Sequence, residues 1–364
     1  MRQRRPSLRS SIFAFAWLLC SQQIFTSFLA PLGHRTSSTA ESRSTASRRH
    51  LLSLAPSLVT TLPVMPTDAE EAPQLTASWP AKDGVQFLRF YEEQYNAERD
   101  DTRRTPQFIK AIQERIRGRE GLTVLDIGTG PFALFATVAA RAGAKKVYAV
   151  EGNPEAADRA RTFLQEQEDI PEGVIEVIDG FSTAVSLPEK VDLVLAEVVG
   201  AFATQENIVA SMRDAQRRHM KDPSNPENYI PAAVQTWTAP VSYALHPVLA
   251  PPKFAKLEGQ PLTLNPRDRT LELISDPQVL EEIRFGQGEL PSGRWEQKPL
   301  NFKVMEDRLR SNYDQYFEAL TTKEDTKADS ARPGDILKIS ESAELSQDLL
   351  TPVKYSFQGE LLRS

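Results

Sequence analysis

From residue 123 onward the spacing of hydrophobic positions changes period at regular intervals. Thr123–Ile127 (T-V-L-D-I) is nearly continuous in apolar residues and stops at Gly128-Thr129-Gly130. An apolar-periodic segment over 132–142 follows and ends at Gly143. The pattern predicts a strand, a glycine turn and a helix. The alternation then repeats: strand Lys146–Glu151, helix 154–167, strands 174–178 and 191–195, and an amphipathic helix over 206–220. Strands apolar on both faces belong to a parallel sheet covered by helices on both sides. Upstream, Phe87, Phe90 and Tyr91, then Phe108, Ile109 and Ile112, recur at helical spacing and predict one or two helices over 84–116.

The pattern changes beyond Ala232. Short alternating runs (T-W-T-A-P-V-S-Y-A-L, L-T-L-N-P, T-L-E-L-I, K-I-S) with many prolines predict antiparallel β-structure. A helix is expected at 303–320 and a loop at 321–334, and 350–362 reads as a strand pair. Residues 70–80 read as a linker, and no internal repeat is found. The expected organisation is therefore a leader over 1–69, an α/β domain over 80–235 and a smaller, mostly antiparallel, barrel-like β-domain over 236–364. That β-domain is either truncated or reduced.

Charge sharpens this division. The formal charge is -6, yet residues 1–68 hold eight Arg and no Lys against Glu41 and Asp68, a net +6 that leaves -12 on the remainder. An acidic body disfavours non-specific nucleic-acid binding and suits a basic polypeptide. The only cysteine, Cys20, lies in the leader, so disulfides, thiol catalysis and thiolate metal sites are not expected of a processed chain, and no metal site is read. The leader has a basic start (Arg2, Arg4, Arg5, Arg9), an apolar run S-I-F-A-F-A-W-L-L-C too short to span a bilayer, and then a Ser/Thr/Arg-rich stretch over 32–50. It resembles the bipartite plastid leaders of algae with complex plastids. Stroma is the expected compartment, or the thylakoid lumen if Arg48-Arg49 is a twin-arginine signal; secretion is the alternative.

The glycine turn admits two cofactors. Gly128-x-Gly130-x-x-Ala133 matches the dinucleotide fingerprint, with Glu151 placed 21 residues beyond Gly130 to take a ribose. Asp126 stands two residues before Gly128, where a carboxylate would face a pyrophosphate. A cofactor with a positive amino-acid end and a ribose, such as S-adenosylmethionine, fits the pair better.

V-L-D-I-G-T-G, A-G-A-K-K-V-Y-A-V-E and L-P-E-K-V-D-L-V-L-A-E-V-V-G, in that order, resemble a class I S-adenosylmethionine-dependent methyltransferase with its Rossmann-like domain, and more narrowly the protein arginine methyltransferases. The resemblance runs from about residue 87 to 240. It implies that Asp126, Gly128 and Gly130 line the methionine end and that Glu151 takes the ribose hydroxyls. Arg104, in D-T-R-R-T, would clamp the cofactor carboxylate, and Asp179, Gly180 and Thr183 would edge the adenine. Phe132 stands where the pattern has its third glycine, either beside the methionine end or packed beneath the helix.

Glu197 and Glu206 match the double-glutamate loop of that family in type and spacing: E-V-V-G-A-F-A-T-Q-E. Two carboxylates can hold a planar guanidinium bidentately and set which nitrogen faces an electrophile. The family's aromatic residues after the first glutamate are replaced by Val198-Val199, and its Thr-His-Trp loop has no counterpart; His246 reads as structural. The expected function is methyl transfer from S-adenosylmethionine to a protein side chain, arginine foremost, in a protein or peptide substrate. Family members often dimerise, so a homodimer is the implied assembly. The alternatives are a different acceptor, a cofactor-binding protein without turnover, and an NAD-linked oxidoreductase.

Overall fold

A computed structural model describes residues 14–18, 74–79, 92–119, 121–200, 202–243, 261–264, 271–305, 309–310, 317–320 and 332–364. The chain divides into one compact unit of Met1–Ser27 with Pro73–Ser364 and a second of Phe28–Ala72. The second lies outside the described residues, as do Phe87, Phe90, Tyr91 and His246.

The elements are, in chain order, β1 Ala14–Leu18, β2 Gln74–Trp79, α1 Glu92–Arg99, α2 Thr105–Ile116, β3 Thr123–Ile127, α3 Leu134–Arg141, β4 Lys146–Glu151, α4 Pro154–Gln165, β5 Ile175–Asp179, β6 Leu193–Ala196, α5 Ile208–Arg218, β7 Tyr229–Ile230 and β8 Ala233–Tyr243. The remaining strands are β9 Pro261–Leu264, β10 Leu271–Leu273, β11 Gln278–Arg284, β12 Gly293–Glu296, β13 Leu300–Lys303, β14 Leu309–Arg310, β15 Phe317–Leu320, β16 Ile336–Leu345 and β17 Lys354–Leu362.

β3 to β7 form the parallel sheet, in the order β5-β4-β3-β6-β7. The order reverses between β3 and β6, and a crevice opens at the carboxyl ends of strands at such a switch point. Period-2 alternation divides the sheet's residues between two cores. Val124, Val147 and Leu193 face Phe108 and Ile112 of α2 and Ala136 of α3. Leu125, Tyr148 and Val194 face α5 and, beyond it, Phe302, Leu337 and Tyr355 of the β-strands. α4 begins where Asn153 Oδ1 accepts from the backbone N–H of Glu155 (3.0 Å) and Ala156 (3.2 Å), with Pro154 following.

The antiparallel part forms a seven-stranded sheet, β14-β10-β8-β1-β15-β9 with β11 on β8, and a five-stranded one, β12-β16-β17-β2 with β13 on β16. Three expectations are corrected here. Among the described residues of 303–320 there is no helix: Lys303 ends β13, Leu309–Arg310 is β14 on β10, and Phe317–Leu320 is β15 on β9 and β1. Local helix-formers yield to distant strand partners. Within the expected linker, Gln74–Trp79 is a strand added to the free side of β17. The expected strand pair over 350–362 is a turn followed by the single strand β17, whose partner is β16.

Candidate active site

The turn after β3 is fastened to the end of β4. The N–H groups of Gly128 and Thr129 donate to the Val150 carbonyl at 2.9 and 3.2 Å. Gly128 (φ +74°) and Gly130 (φ +67°) lie in the left-handed region, where side-chain-bearing residues are strained. A Cβ on Gly128 would stand 2.8 Å from Val198 Cγ1, and one on Gly130 would touch the Tyr95 ring at 3.6 Å. The turn is therefore fitted between the loop after β6 and helix α1. Asp126 sits beneath it, fully buried, accepting from Thr129 Oγ1 at 2.6 Å. Burial pushes its carboxyl up to about 7. It shapes the turn from below and is not among the residues lining the cavity.

Glu151 ends β4 and turns its carboxylate back to the same loop. One oxygen accepts from Gly130 N–H and the other from Asn153 N–H, both at 2.8 Å. Burial raises its carboxyl and those bonds oppose the rise. The turn after β5 supplies Gly180, Phe181 and Ser182 to the wall. A Cβ on Gly152 would meet the Phe181 ring at 3.0 Å, so the ring lies over that glycine. Asp179 and Thr183 are not among the residues lining the cavity. Asp179 ends β5 exposed, and the chain bends at Gly180, whose N–H donates to the Glu151 carbonyl at 2.8 Å.

Arg104 comes from the junction of α1 and α2. Asp101 accepts from the N–H of Arg103 (2.8 Å) and Arg104 (3.0 Å), which sets the bend. Arg104 Nη1 and Thr105 Oγ1 both donate to the Glu98 carbonyl, at 3.1 and 2.9 Å. Arg104 as a whole is 8% exposed, and its other amine donates to Glu197 Oε2. Glu197 follows β6 at the switch point. Glu206 opens into the same cavity, accessible there although protein surrounds it. That depth, then the charge of Glu98, pushes its carboxyl up to about 7, and Arg104 opposes the rise.

The cavity holds about 460 Å³, within the range of small-molecule sites. It brings together Arg104, Gly128, Gly130, Glu151, Gly180, Glu197 and Glu206. Several acidic residues around one buried guanidinium suit a ligand bearing hydroxyls and charges of both signs, with a second cation beside it. Tyr95, Glu98 and Leu349 also line it and were not assigned from sequence. Burial, followed by Glu151, Glu98 and Glu206, holds the Tyr95 phenol well above its ordinary value. Tyr95 and Glu98 lie three apart on α1, a helical-face signal that only the fold makes meaningful. Phe132 lines the cavity beneath Arg99 (4.6 Å from guanidinium carbon to ring centroid) and edge-on to Phe163 (6.0 Å between centroids). His219 is buried beside the Ser182 carbonyl at 3.4 Å, away from the cavity wall. Among the described residues no group of three or more His, Cys, Asp or Glu could hold a metal.

This cavity at the crevice of a five-stranded parallel sheet, with an antiparallel β-region attached, is the arrangement of a class I methyltransferase fold. Within that class the chain is similar to the protein arginine methyltransferases. It is 36% identical over 142 residues to protein arginine N-methyltransferase PRMT10 of Arabidopsis thaliana, a match over 39% of this chain and 35% of that one. It is 35% identical over 137 residues to protein arginine N-methyltransferase 6 of Danio rerio, over 36% and 38% of the two chains. The chain thus spans little more than a third of the length of these relatives. The crystal structure of Arabidopsis thaliana protein arginine methyltransferase 10 superposes with a TM-score of 0.54 at 18% identity, covering 75% of this chain and 98% of that one. The Trypanosoma brucei PRMT1 enzyme-prozyme complex with AdoHcy gives 0.53 at 16%, covering 75% and 99%. No family model matches.

Proposed function

We propose that the chain transfers a methyl group from S-adenosylmethionine to an arginine side chain of a protein or peptide. The observation that carries this reading is the convergence of Glu197 and Glu206 on the cavity that also holds Arg104, the glycine turn and Glu151. The named relatives and the AdoHcy in the Trypanosoma complex support the choice of cofactor. When bound, the cofactor supplies an electrophilic methyl on a sulfonium.

The chain's own residues divide the remaining work. Arg104 offers a planar cation to the cofactor's carboxylate. Glu151, its carboxylate oriented by the N–H groups of Gly130 and Asn153, would take the ribose hydroxyls on its remaining lone pairs. Glu197 and Glu206 hold the acceptor guanidinium and draw its positive charge toward themselves, which leaves more electron density on the nitrogen facing the methyl. Catalysis of this kind rests on alignment and electrostatics. The acidic body suits an arginine-rich substrate, a homodimer is the proposed assembly, and the leader is proposed to direct the chain to a plastid.

Calorimetric titration with S-adenosylmethionine and with NAD tests the cofactor: heat with the former alone is expected, and silence with it removes the reading. Labelled-methyl incorporation into an arginine-rich peptide tests the transfer. Glu197→Gln is expected to cut the rate by about a hundredfold or more, the scale of losing a charge-stabilising group. Equal incorporation by wild type and variant would remove the two-carboxylate mechanism.

A further inference from the structure

The loop that carries Glu197 and Glu206 rests on a buried carboxylate from the other half of the molecule. In β11 the register against β8 shifts between Val279 and Glu281, a bulge that brings Glu281 opposite Thr236. A bulge turns two successive side chains toward the interior, and Leu280 and Glu281 are both buried, Glu281 completely. Its two oxygens have different partners. Thr204 Oγ1 donates to Oε1 at 2.9 Å, and Thr236 Oγ1 donates to Oε2 at 2.6 Å.

Each of these hydroxyls carries the contact one step further. Thr236 Oγ1 accepts from the N–H of Ala203 at 2.8 Å. Thr204 Oγ1 lies 2.7 Å from the Tyr355 hydroxyl, and since its single proton goes to Glu281, Tyr355 is the donor there. Two relays, Ala203 N–H to Thr236 to Glu281 and Tyr355 to Thr204 to Glu281, therefore run in one direction and both end on the Glu281 carboxyl oxygens. Phe202 completes the seat, stacked on Tyr355 at 4.3 Å between centroids.

Glu341 stands at the one inward position of β16 where its neighbours Leu337, Ile339, Ala343 and Leu345 are apolar. Neither of its oxygens has a partner among the described residues. Burial and the nearby Glu281 raise its carboxyl far above the usual range. Burial raises Glu281 too, to about 7, but the bonds from Thr236 and Thr204 oppose that rise, so Glu281 is the member of the pair that ionises first.

We infer that Glu281 is the positioning residue of the acceptor loop, setting Glu206 against Glu197 through Thr204 and Thr236. This rests on the two-carboxylate reading of that loop. Gln at 281 keeps the shape but turns an amide donor toward one hydroxyl, so one relay loses its acceptor.

The test uses the full chain with three measurements: hydrogen exchange over 202–207, affinity for S-adenosylhomocysteine, and affinity of the S-adenosylhomocysteine complex for an arginine-containing peptide. In Glu281→Gln, exchange at Ala203 is expected to rise about tenfold and peptide affinity to fall about five- to tenfold, with S-adenosylhomocysteine affinity within about twofold of wild type. Thr236→Val should raise the same exchange, while Thr236→Ser, which restores the hydroxyl, should return it to the wild-type rate. Wild-type exchange and peptide affinity in Glu281→Gln overturn the inference. So does an equal loss of melting temperature, cofactor affinity and peptide affinity, which marks a general core defect. If the wild-type chain binds no arginine peptide, the arginine reading falls instead; raised exchange in Glu281→Gln then supports the relay, and unchanged exchange overturns it.

Discussion

At the scale of single residues, Glu206 combines access with depth. Its carboxyl faces the cavity, but surrounding protein and the charge of Glu98 push it up to about 7 against the pull of Arg104. A raised acid is neutral below its folded pKa and charged above it, so its hold on a cation strengthens as pH rises through about 7. The same sign applies to stability: the ionised form is disfavoured in the folded state, so what Glu206 contributes declines from about pH 4.5 up to about 7. Calorimetry with an arginine peptide should therefore show affinity rising from pH 6 to 8 with proton release. Glu206→Gln should flatten that rise, and an unchanged slope would place the titration elsewhere. Gly128 offers a second case, because both its φ of +74° and the 2.8 Å approach to Val198 Cγ1 exclude a side chain. Gly128→Ala should cost about 1–2 kcal/mol from the left-handed backbone alone, more with the clash, read as a fall of several degrees in melting temperature. Adding Val198→Ala should recover only the clash.

Among the elements, the sequence was most legible where local signals and tertiary demands agree. β3 and β4 fall at Thr123–Ile127 and Lys146–Glu151 as read, because buried parallel strands are continuous apolar runs stopped by glycine or by a charged site residue. The start of α4 is legible from Asn153-Pro154, a cap followed by a residue suited to the first turn. Glu151 was read from its spacing beyond the glycines, and Arg104, Glu197 and Glu206 through the motif resemblance; the fold brings all four to one cavity. The region 303–320 was not, since its composition favours helix while Leu309 and Arg310 pair with Leu273 and Glu272 from some 36 residues earlier. Glu281 was not either, because E-E-I reads as surface alternation until the bulge turns one glutamate inward. Helix α5 makes a testable point about such long-range ties. Asn207, just ahead of it, holds φ +61° and donates from Nδ2 to the carbonyls of Leu349 (3.2 Å) and Thr351 (3.3 Å). Asn207→Gly keeps the backbone and loses the bonds, which should cost about 1–3 kcal/mol. Asn207→Ala adds about 1 kcal/mol or more of left-handed strain. Melting temperatures should fall in the order wild type, Gly, Ala; a Gly variant below the Ala variant would contradict this account.

For the whole molecule, the question is whether the parallel and antiparallel parts are two folding units or one. The change of hydrophobic period near residue 235 suggests a boundary, yet the interior does not respect it. Leu125, Tyr148 and Val194 of the parallel sheet share one buried cluster with Phe302, Leu337 and Tyr355 of the β-strands, and with Met212 between them. The opposite face of the sheet, under α2 and α3, has a core of its own. Cutting the chain at 235 would expose the outer side of that shared cluster, a large apolar surface of the kind soluble proteins do not leave open. The acceptor loop would also lose Glu281, Tyr355 and the carbonyls that Asn207 meets, since all lie beyond the cut. A fragment of residues 80–235 is therefore expected to lack a cooperative melt and to bind an apolar dye, whereas the full chain should unfold in one calorimetric transition. Two resolved transitions in the full chain, or a cooperative melt of the fragment, would mean that the β-strands attach to a finished domain. A single transition would mean that the carboxylates of the cavity are held in place by the stability of the molecule as a whole.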